Sequence, residues 1–505
     1  MCLHLKHVIL FITVLLLISA CSADDFLNEN PVSSIGTSEF FQSSDQFESA
    51  VNAAYTNLQD LYGSGGDGGI GGFGGGYWIF SEMRSDNTTF QDNTQDLSGH
   101  RYWYVDQFIM DGSNEITLAT WNLTYQGIGK CNIVLDNIED AEVENKNRYI
   151  AEAKFLRALY YFHLVKYYGD VPLVTTGVQS PEEAFAQNER TPKEQIYDLI
   201  VSDLNDAKTN LPQSYPGEDQ GRATEGAART LLAKVYMWRD QYSEAQNELE
   251  VVRDMNYFLL DDYASIFDKN NENNEEVIFS IQYIEGPNNL GSVFTYRFLP
   301  WNIGSDVIGH NQNIARTGMQ IPTKDLLEAF ESSDLRASLI DTLIDERTGV
   351  VDGNIVPYTT KFMDPGHSQR LISGRNFQVF RYSHVLLMLA ETYVRTGGGD
   401  PIPLVNQIRR RAGLDELTGS FSQEELLDII INERRLEFHA EADRWDVLVR
   451  TGRAIEVMEA HGEVERETRD EIGINAFQNI KLLFPIPDAV IELDPESMTQ
   501  NEEYL

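Results

Sequence analysis

Three of the six tryptophans in this 505-residue chain sit where flat rings and polar side chains gather outside any helical pattern. Trp78 lies among Phe73, Tyr77 and Phe80, with Arg84, Asp86 and Asn87 just beyond. Trp103 is flanked by Tyr102 and Tyr104, and Trp301 follows Tyr296 and Phe298 with Arg297 and Asn302 beside it. Such clusters suit binding. An aromatic face stacks on the apolar C–H face of a sugar ring, and planar polar groups at the rim bond its hydroxyls. The candidate ligand contacts are therefore Trp78, Trp301, Trp103, Tyr77, Tyr102, Tyr296, Arg84 and Asn87. The competing reading is that these rings only pack a loop-rich stretch onto a helical body. Trp121, Trp238 and Trp445 fall inside helical patterns and are expected in the core.

Reactive constellations are missing from the sequence. There is no Gly-x-Ser-x-Gly elbow and no Gly-Lys-Ser/Thr phosphate loop. Gly63 to Gly76 matches the dinucleotide pattern literally, but ten of its fourteen residues are glycine and it follows a helix where a strand is required. It reads as a mobile loop. Residues 268–276 lack the sixth-position glycine of a calcium loop, and His439 with Glu441 lacks the spacing of a metalloprotease pair. Carboxylates are too numerous for any two to be singled out as a glycosidase dyad. Glu433, Arg434, Glu437, Glu441, Arg444 and Asp446 lie at helical spacings and read as ion pairs joining helices. No enzyme activity, metal or cofactor is expected.

The elements that position the aromatic clusters are mostly helices. Helical periodicity marks residues 45–62, 115–138, 149–168, 192–209 (with Thr191 as cap), 223–238, 243–254, 381–395, 403–411, 423–441 and 445–450. Between residues 255 and 375 short β-prone runs, including 277–281 and 293–296, alternate with Gly, Pro and Asn. Leu232, Ala233, Tyr236, Ala245, Leu249 and Val252 have the spacing of a tetratricopeptide hairpin, in which a small residue lets two helices approach. Ala158 with Tyr161 and Ala390 with Tyr393 repeat the small-x-x-Tyr step. The fold class expected is mainly α: a tetratricopeptide-like helical-repeat body with a loop-rich insertion containing a few short strands.

Charge and leader bound the setting. With 79 acidic against 39 basic residues the net charge is −40, which excludes a general nucleic-acid binder and disfavours a polyanionic ligand. Residues 1–7 are weakly basic and 8–20 apolar, too short a run to span a bilayer. Ile18-Ser19-Ala20-Cys21 resembles a bacterial lipobox, which implies lipidation at Cys21, and the acidic Asp24-Asp25 beyond it resembles a surface-export signal. The organisation expected is a signal peptide at 1–20 and a lipid anchor and tether at 21–44. A helical-repeat half with the Gly-rich loop follows at 45–254, then a ligand-side insertion at 255–375 and a C-terminal helical half at 376–505, in one compact unit.

Four stretches in order resemble the SusD/RagB family. They are Ala151–Ala158 leading to Tyr167-Tyr168-Gly169-Asp170-Val171-Pro172-Leu173; Tyr382–Leu414 with Arg409-Arg410-Arg411-Ala412-Gly413-Leu414; Glu433–Phe438 followed by Arg444-Trp445-Asp446; and Phe484-Pro485-Ile486-Pro487 with the closing Gln500–Tyr504. The last departs from the family's usual Pro-Gly before the tyrosine. The resemblance implies a cell-surface lipoprotein, anchored in the outer membrane through Cys21, that is not an enzyme. Such a protein captures glycan, here a neutral one, and passes it to a SusC-like TonB-dependent transporter on which it sits as a lid. Ligand sites in the family form from early mature loops and the middle insertion, where the three clusters lie. Capture of peptide or glycopeptide by the same lid, or a scaffold that only caps the transporter, are the alternatives.

Overall fold

The computed structural model describes residues 40–63, 76–91, 99–178, 180–285, 290–301, 305–308, 318–344, 355–365, 373–469 and 472–505. The leader, Cys21, the acidic tether, glycine-rich residues 64–75 with Phe73, and Asn302 lie outside these. The helical frame opens with α1 (Ser44–Tyr62), α2 (His100–Asp106), α3 (Glu115–Ile138) and α4 (Lys146–Tyr168), followed by α5 (Lys193–Asn210), α6 (Glu225–Trp238) and α7 (Tyr242–Arg253). After the insertion come α8 (Tyr382–Thr396), α9 (Ile402–Arg411), α10 (Gln423–Glu437), α11 (Arg444–Arg450) and α12 (Ala454–Thr468).

Local chemistry sets the helix starts. The Asn114 side chain accepts from Ile116 N–H at 3.0 Å, Thr224 Oγ1 from Ala227 N–H at 3.2 Å, and Ser422 Oγ from Glu425 N–H at 3.2 Å. Helix α4 is buried on nearly all its faces from Ala151 to Tyr168, as a helix enclosed by neighbours must be. It packs against α3 and α5, with α1 beside α3. Gly127 on α3 permits the closest approach: a Cβ there would lie 2.3 Å from Tyr160 Cζ.

The tetratricopeptide-like hairpin is α6 with α7, and α8 packs on α7, so the repeat continues across the insertion. Ala158 on α4, Ala233 on α6, Ala245 on α7 and Ala390 on α8 are all fully buried. One hydrophobic cluster runs through the layers from Ala54 to Met498. Trp121 and Trp445 are buried, and Trp238 is partly buried against that cluster.

The strands in the described residues pair only in twos, all antiparallel. β1 (Thr88–Thr89) meets β3 (Ile321–Pro322); β2 (Val277–Ile281) meets β6 (Phe377–Arg381); β4 (Ile340–Ile344) meets β5 (Ile355–Thr359). The β-prone run 293–296 does not form a strand; Phe294–Arg297 is a short helix. Thr191 does not cap α5; it pairs with Val171 in a two-residue ladder, and Pro192 takes the cap position. Helix α10 ends at Glu437, short of 441, because Ala440 and Ala442 turn through φ +62°. Residues 454–468 add a helix that periodicity had not marked.

The ion pairs expected around 433–446 are present and buried. Arg381 bonds Glu276 at 2.6 Å, Glu437 at 2.9 Å and Glu441 at 2.7 Å, with every partner fully enclosed. Arg336 bonds Glu433, Arg434 bonds Asp443, Arg444 bonds Asp86, and Lys166 bonds Asp446. These pairs tie α10, α11 and the turn between them to β2, β6 and α4.

Candidate functional site

The sequence-predicted ligand residues separate into two groups. Every residue from Gly76 to Gln91 is buried. This segment is no loop: Ile79–Met83 is a π-helical turn, and β1 follows it. Tyr77 packs 4.1 Å from Tyr62 and 4.6 Å from His163, ring to ring. Trp78 is 3% exposed and meets Phe298 edge-on at 5.1 Å. The Arg84 guanidinium lies over Phe108 at 4.3 Å and Phe484 at 4.2 Å. Asn87 donates to Glu82 Oε1 at 3.0 Å and accepts from Arg435 Nε at 2.8 Å. Tyr102 stacks inward on Phe90 at 6.1 Å, and Tyr296 is buried with Leu299, Ile308 and Tyr358. Tyr77, Trp78, Arg84, Asn87, Tyr102 and Tyr296 are thus corrected to interior residues. The four rings are enclosed in the interior, Arg84 Nη2 donates to the Lys481 carbonyl, and the Asn87 side chain is bonded through both its nitrogen and its oxygen.

Trp103 and Trp301 are only half-buried. Trp103 lies on helix α2, where spacings of three and four bring His100, Trp103 and Tyr104 to one face. Ring centroids are 5.8 Å apart for His100–Trp103, 5.9 Å for His100–Tyr104 and 6.4 Å for Trp103–Tyr104, the last pair inclined by only 24°. Tyr104 is 38% exposed, and exposed Ile109 follows, its N–H bonded to the Tyr104 carbonyl at 3.1 Å. Trp103 Nε1–H is enclosed without a partner among the described residues. The three rings form a surface shelf, with flat apolar area on offer and polar edges at its rim.

Trp301 belongs to the same region through the backbone. Its N–H donates to Gln91 Oε1 at 2.6 Å, and the Gln91 N–H donates to the Gly318 carbonyl at 2.8 Å. Phe90, next to Gln91, carries Tyr102 of the shelf helix. In the sequence Trp103 lies in a loop-like stretch with Tyr102 and Tyr104 as neighbours, and His100 is not among the expected contacts. The 100/103/104 spacing was the available signal.

Three carboxyls whose titration is raised are enclosed in the frame. Burial pushes Glu82 up to about 7 and Glu152 to about 7, although Asn87 and Arg222 respectively pull the other way. Burial likewise raises Asp106, under the shelf, to about 8 against the pull of Arg469. Asp106 accepts from Thr89 Oγ1 at 3.0 Å, and Glu82 accepts from the Ala440 N–H at 2.9 Å. Displaced groups mark catalytic sites when they line a cleft; these three are enclosed and bonded to the frame. No helix among the described residues is long and apolar enough to cross a membrane.

Comparison with known proteins finds SusD-like proteins similar to this chain. Residues 352–504 match the SusD family, and residues 78–237 match a family described as starch-binding, associating with outer membrane. The chain is 29% identical to SusD-like protein P25 of Formosa agariphila over 98% of its length and 99% of that protein. It is 24% identical to the starch-binding protein SusD of Bacteroides thetaiotaomicron over 64% of this chain and 68% of that one. Its fold superposes on surface glycan-binding protein A of Bacteroides thetaiotaomicron in complex with laminarihexaose. The TM-score is 0.74 at 22% identity, covering 91% of this chain and all of that one (100%). The chain thus resembles the SusD family in its C-terminal third and SusD-like proteins over nearly its whole length.

Proposed function

We propose that this protein is a cell-surface lipoprotein, held in the outer membrane through lipid on Cys21. It captures oligo- or polysaccharide on the His100–Trp103–Tyr104 shelf and hands it to a SusC-like TonB-dependent transporter. The shelf carries the reading. It is a surface where three rings line one face, and it matches the geometry sugar rings stack on. Trp301, tied through Gln91 to the segment beneath, is a second contact at its edge. The names of relatives that bind starch or glycan, one solved with laminarihexaose, support the ligand class. A net charge of −40 favours a neutral glycan, since a polyanion is repelled within a Debye length of about 8 Å.

The test is affinity electrophoresis of the form beginning at Ser22, through gels containing laminarin, starch or polygalacturonan. Retardation by a neutral polysaccharide, lost in the Trp103→Ala/Tyr104→Ala double variant, is expected. Retardation that survives that variant sinks the shelf, and retardation by polygalacturonan alone sinks the neutral-ligand reading.

A further inference from the structure

A cavity of about 480 Å³ lies between the outer face of α1, the crossing loop at 213–222 and strand β2. A second of about 160 Å³ shares Gln220, Gly221, Arg222, Phe279 and Ser280 with it, so the two form one groove. None of its lining residues belongs to the shelf or to the turn bearing Trp301.

The walls of this groove are fixed. Arg222 bonds Asp219 at 2.7 Å and Glu152 at 3.2 Å, and also pairs with Glu48. Tyr215 donates to Glu152 at 3.0 Å, and the Ala223 N–H donates to the Tyr55 hydroxyl at 2.9 Å. Gly221, at φ +96°, lets the loop lie against Gln282; a Cβ there would stand 2.5 Å from Gln282 Cγ. Across the groove Gln59 Nε2 donates to the Gln282 carbonyl at 2.6 Å, and Gln282 Nε2 donates to Ser280 Oγ at 2.6 Å. A site whose walls are already held loses little ordering entropy on binding.

The lining chemistry selects a ligand. Asn52 and Gln220 are exposed, and their side-chain amides have no partner among the described residues. With Gln59 Oε1 they offer neutral donors and acceptors, a match for the paired hydroxyls of a sugar, while Gln282 and Ser280 are bonded to the wall. Leu58, Phe279 and Ile281 supply apolar floor. The single lining cation, Arg222, is already engaged by three carboxylates, so an anion finds no free positive charge. The volume falls in the range of about 300–1,000 Å³ typical of small-molecule sites. We infer that this groove is a second binding site for a short neutral oligosaccharide, independent of the shelf.

Isothermal titration of the form beginning at Ser22 with laminarihexaose, maltohexaose, cellohexaose and xylohexaose tests this, with hydrogen-exchange mass spectrometry to locate the bound sugar. In the Trp103→Ala/Tyr104→Ala background one of these sugars still binds and protects amides within 213–222 and 277–283. Asn52→Trp with Gln220→Trp, both changes at exposed positions, then weakens that binding at least tenfold while the melting curve is retained. The groove variant alone keeps whatever binding the shelf provides, so failure of one site is distinguishable from failure of the other. No binding of any of the four sugars by the shelf-deficient protein overturns the inference. So does residual binding that the tryptophans leave unmoved, or protection confined to other segments.

Discussion

Arg444 and Asp86 stand 358 positions apart and meet as a bidentate pair, Nε to Oδ1 at 2.7 Å and Nη2 to Oδ2 at 2.8 Å. Both are buried, and Arg435 closes on the same carboxylate at 3.1 Å. The pair clamps segment 76–91 to the C-terminal motif. That segment in turn supports Tyr102 and so the shelf helix.

Removing one partner of such a pair leaves an uncompensated buried charge. Asp86→Ala is expected to cost about 3–5 kcal/mol in urea unfolding. Burial alone would raise the Asp86 carboxyl, but Arg444 and Arg435 hold it well below the usual carboxylate range. Its stabilisation is therefore full above the unfolded value of about 4 and is lost as pH falls through the depressed folded value. The variant should show a shallower acid limb than the wild type. An equally steep limb would show that Asp86 contributes nothing to acid unfolding.

Asp106 behaves in the opposite sense. Its folded value, about 8, lies above the unfolded one, so its contribution is full below about pH 4 and is lost as pH rises through about 8. Asp106→Asn keeps an acceptor for Thr89 and cannot ionise. It should melt above the wild type at pH 8, with the gap closing towards pH 5. A gap independent of pH would mean Asp106 is ionised throughout.

Trp78→Ala opens a cavity beside Phe298 and should cost about 3–5 kcal/mol. Tyr104→Ala, at an exposed site, should stay within about 0.5 kcal/mol. Chemical denaturation of the two variants thus separates a core aromatic from a shelf aromatic before any ligand is added.

Cys131 is the only cysteine after Cys21. It is fully buried, and burial pushes its thiol up to about 12. In the form beginning at Ser22, DTNB should release no thiolate from the native protein and one equivalent after denaturation. Rapid labelling of the native form would show that the interior around α3 opens on the assay timescale.

Gly127→Ala drives a methyl group into the Tyr160 ring, whose hydroxyl donates to the Ala54 carbonyl at 2.7 Å. A loss of about 1–3 kcal/mol is expected from overpacking. Thermal melting unchanged from wild type would show that α3 and α4 separate without cost.

Much of this protein was legible from local pattern. Helical spacing marked most of the long helices to within a few residues, since each buries one stripe whose period shows in the chain. The small-x-x-Tyr steps at Ala158, Ala233 and Ala390 marked where helices touch. The charged residues from Glu433 to Asp446 read as ion pairs because like spacing with opposite sign has few other uses. Four motifs in order were enough to bring the family to view.

The candidate site was decided by tertiary structure. Trp78 and Trp103 have similar neighbours in the chain, rich in aromatic and polar residues, and nothing local separates them. Trp78 is covered because Phe298, more than two hundred positions later, folds onto it, and Arg84 is covered by Phe108 and Phe484. Trp103 stays at the surface because α2 turns only Tyr102, Val105 and Asp106 inward. A ring's exposure depends on which distant segments pack over it. Periodicity reports only which residues of one element share a face.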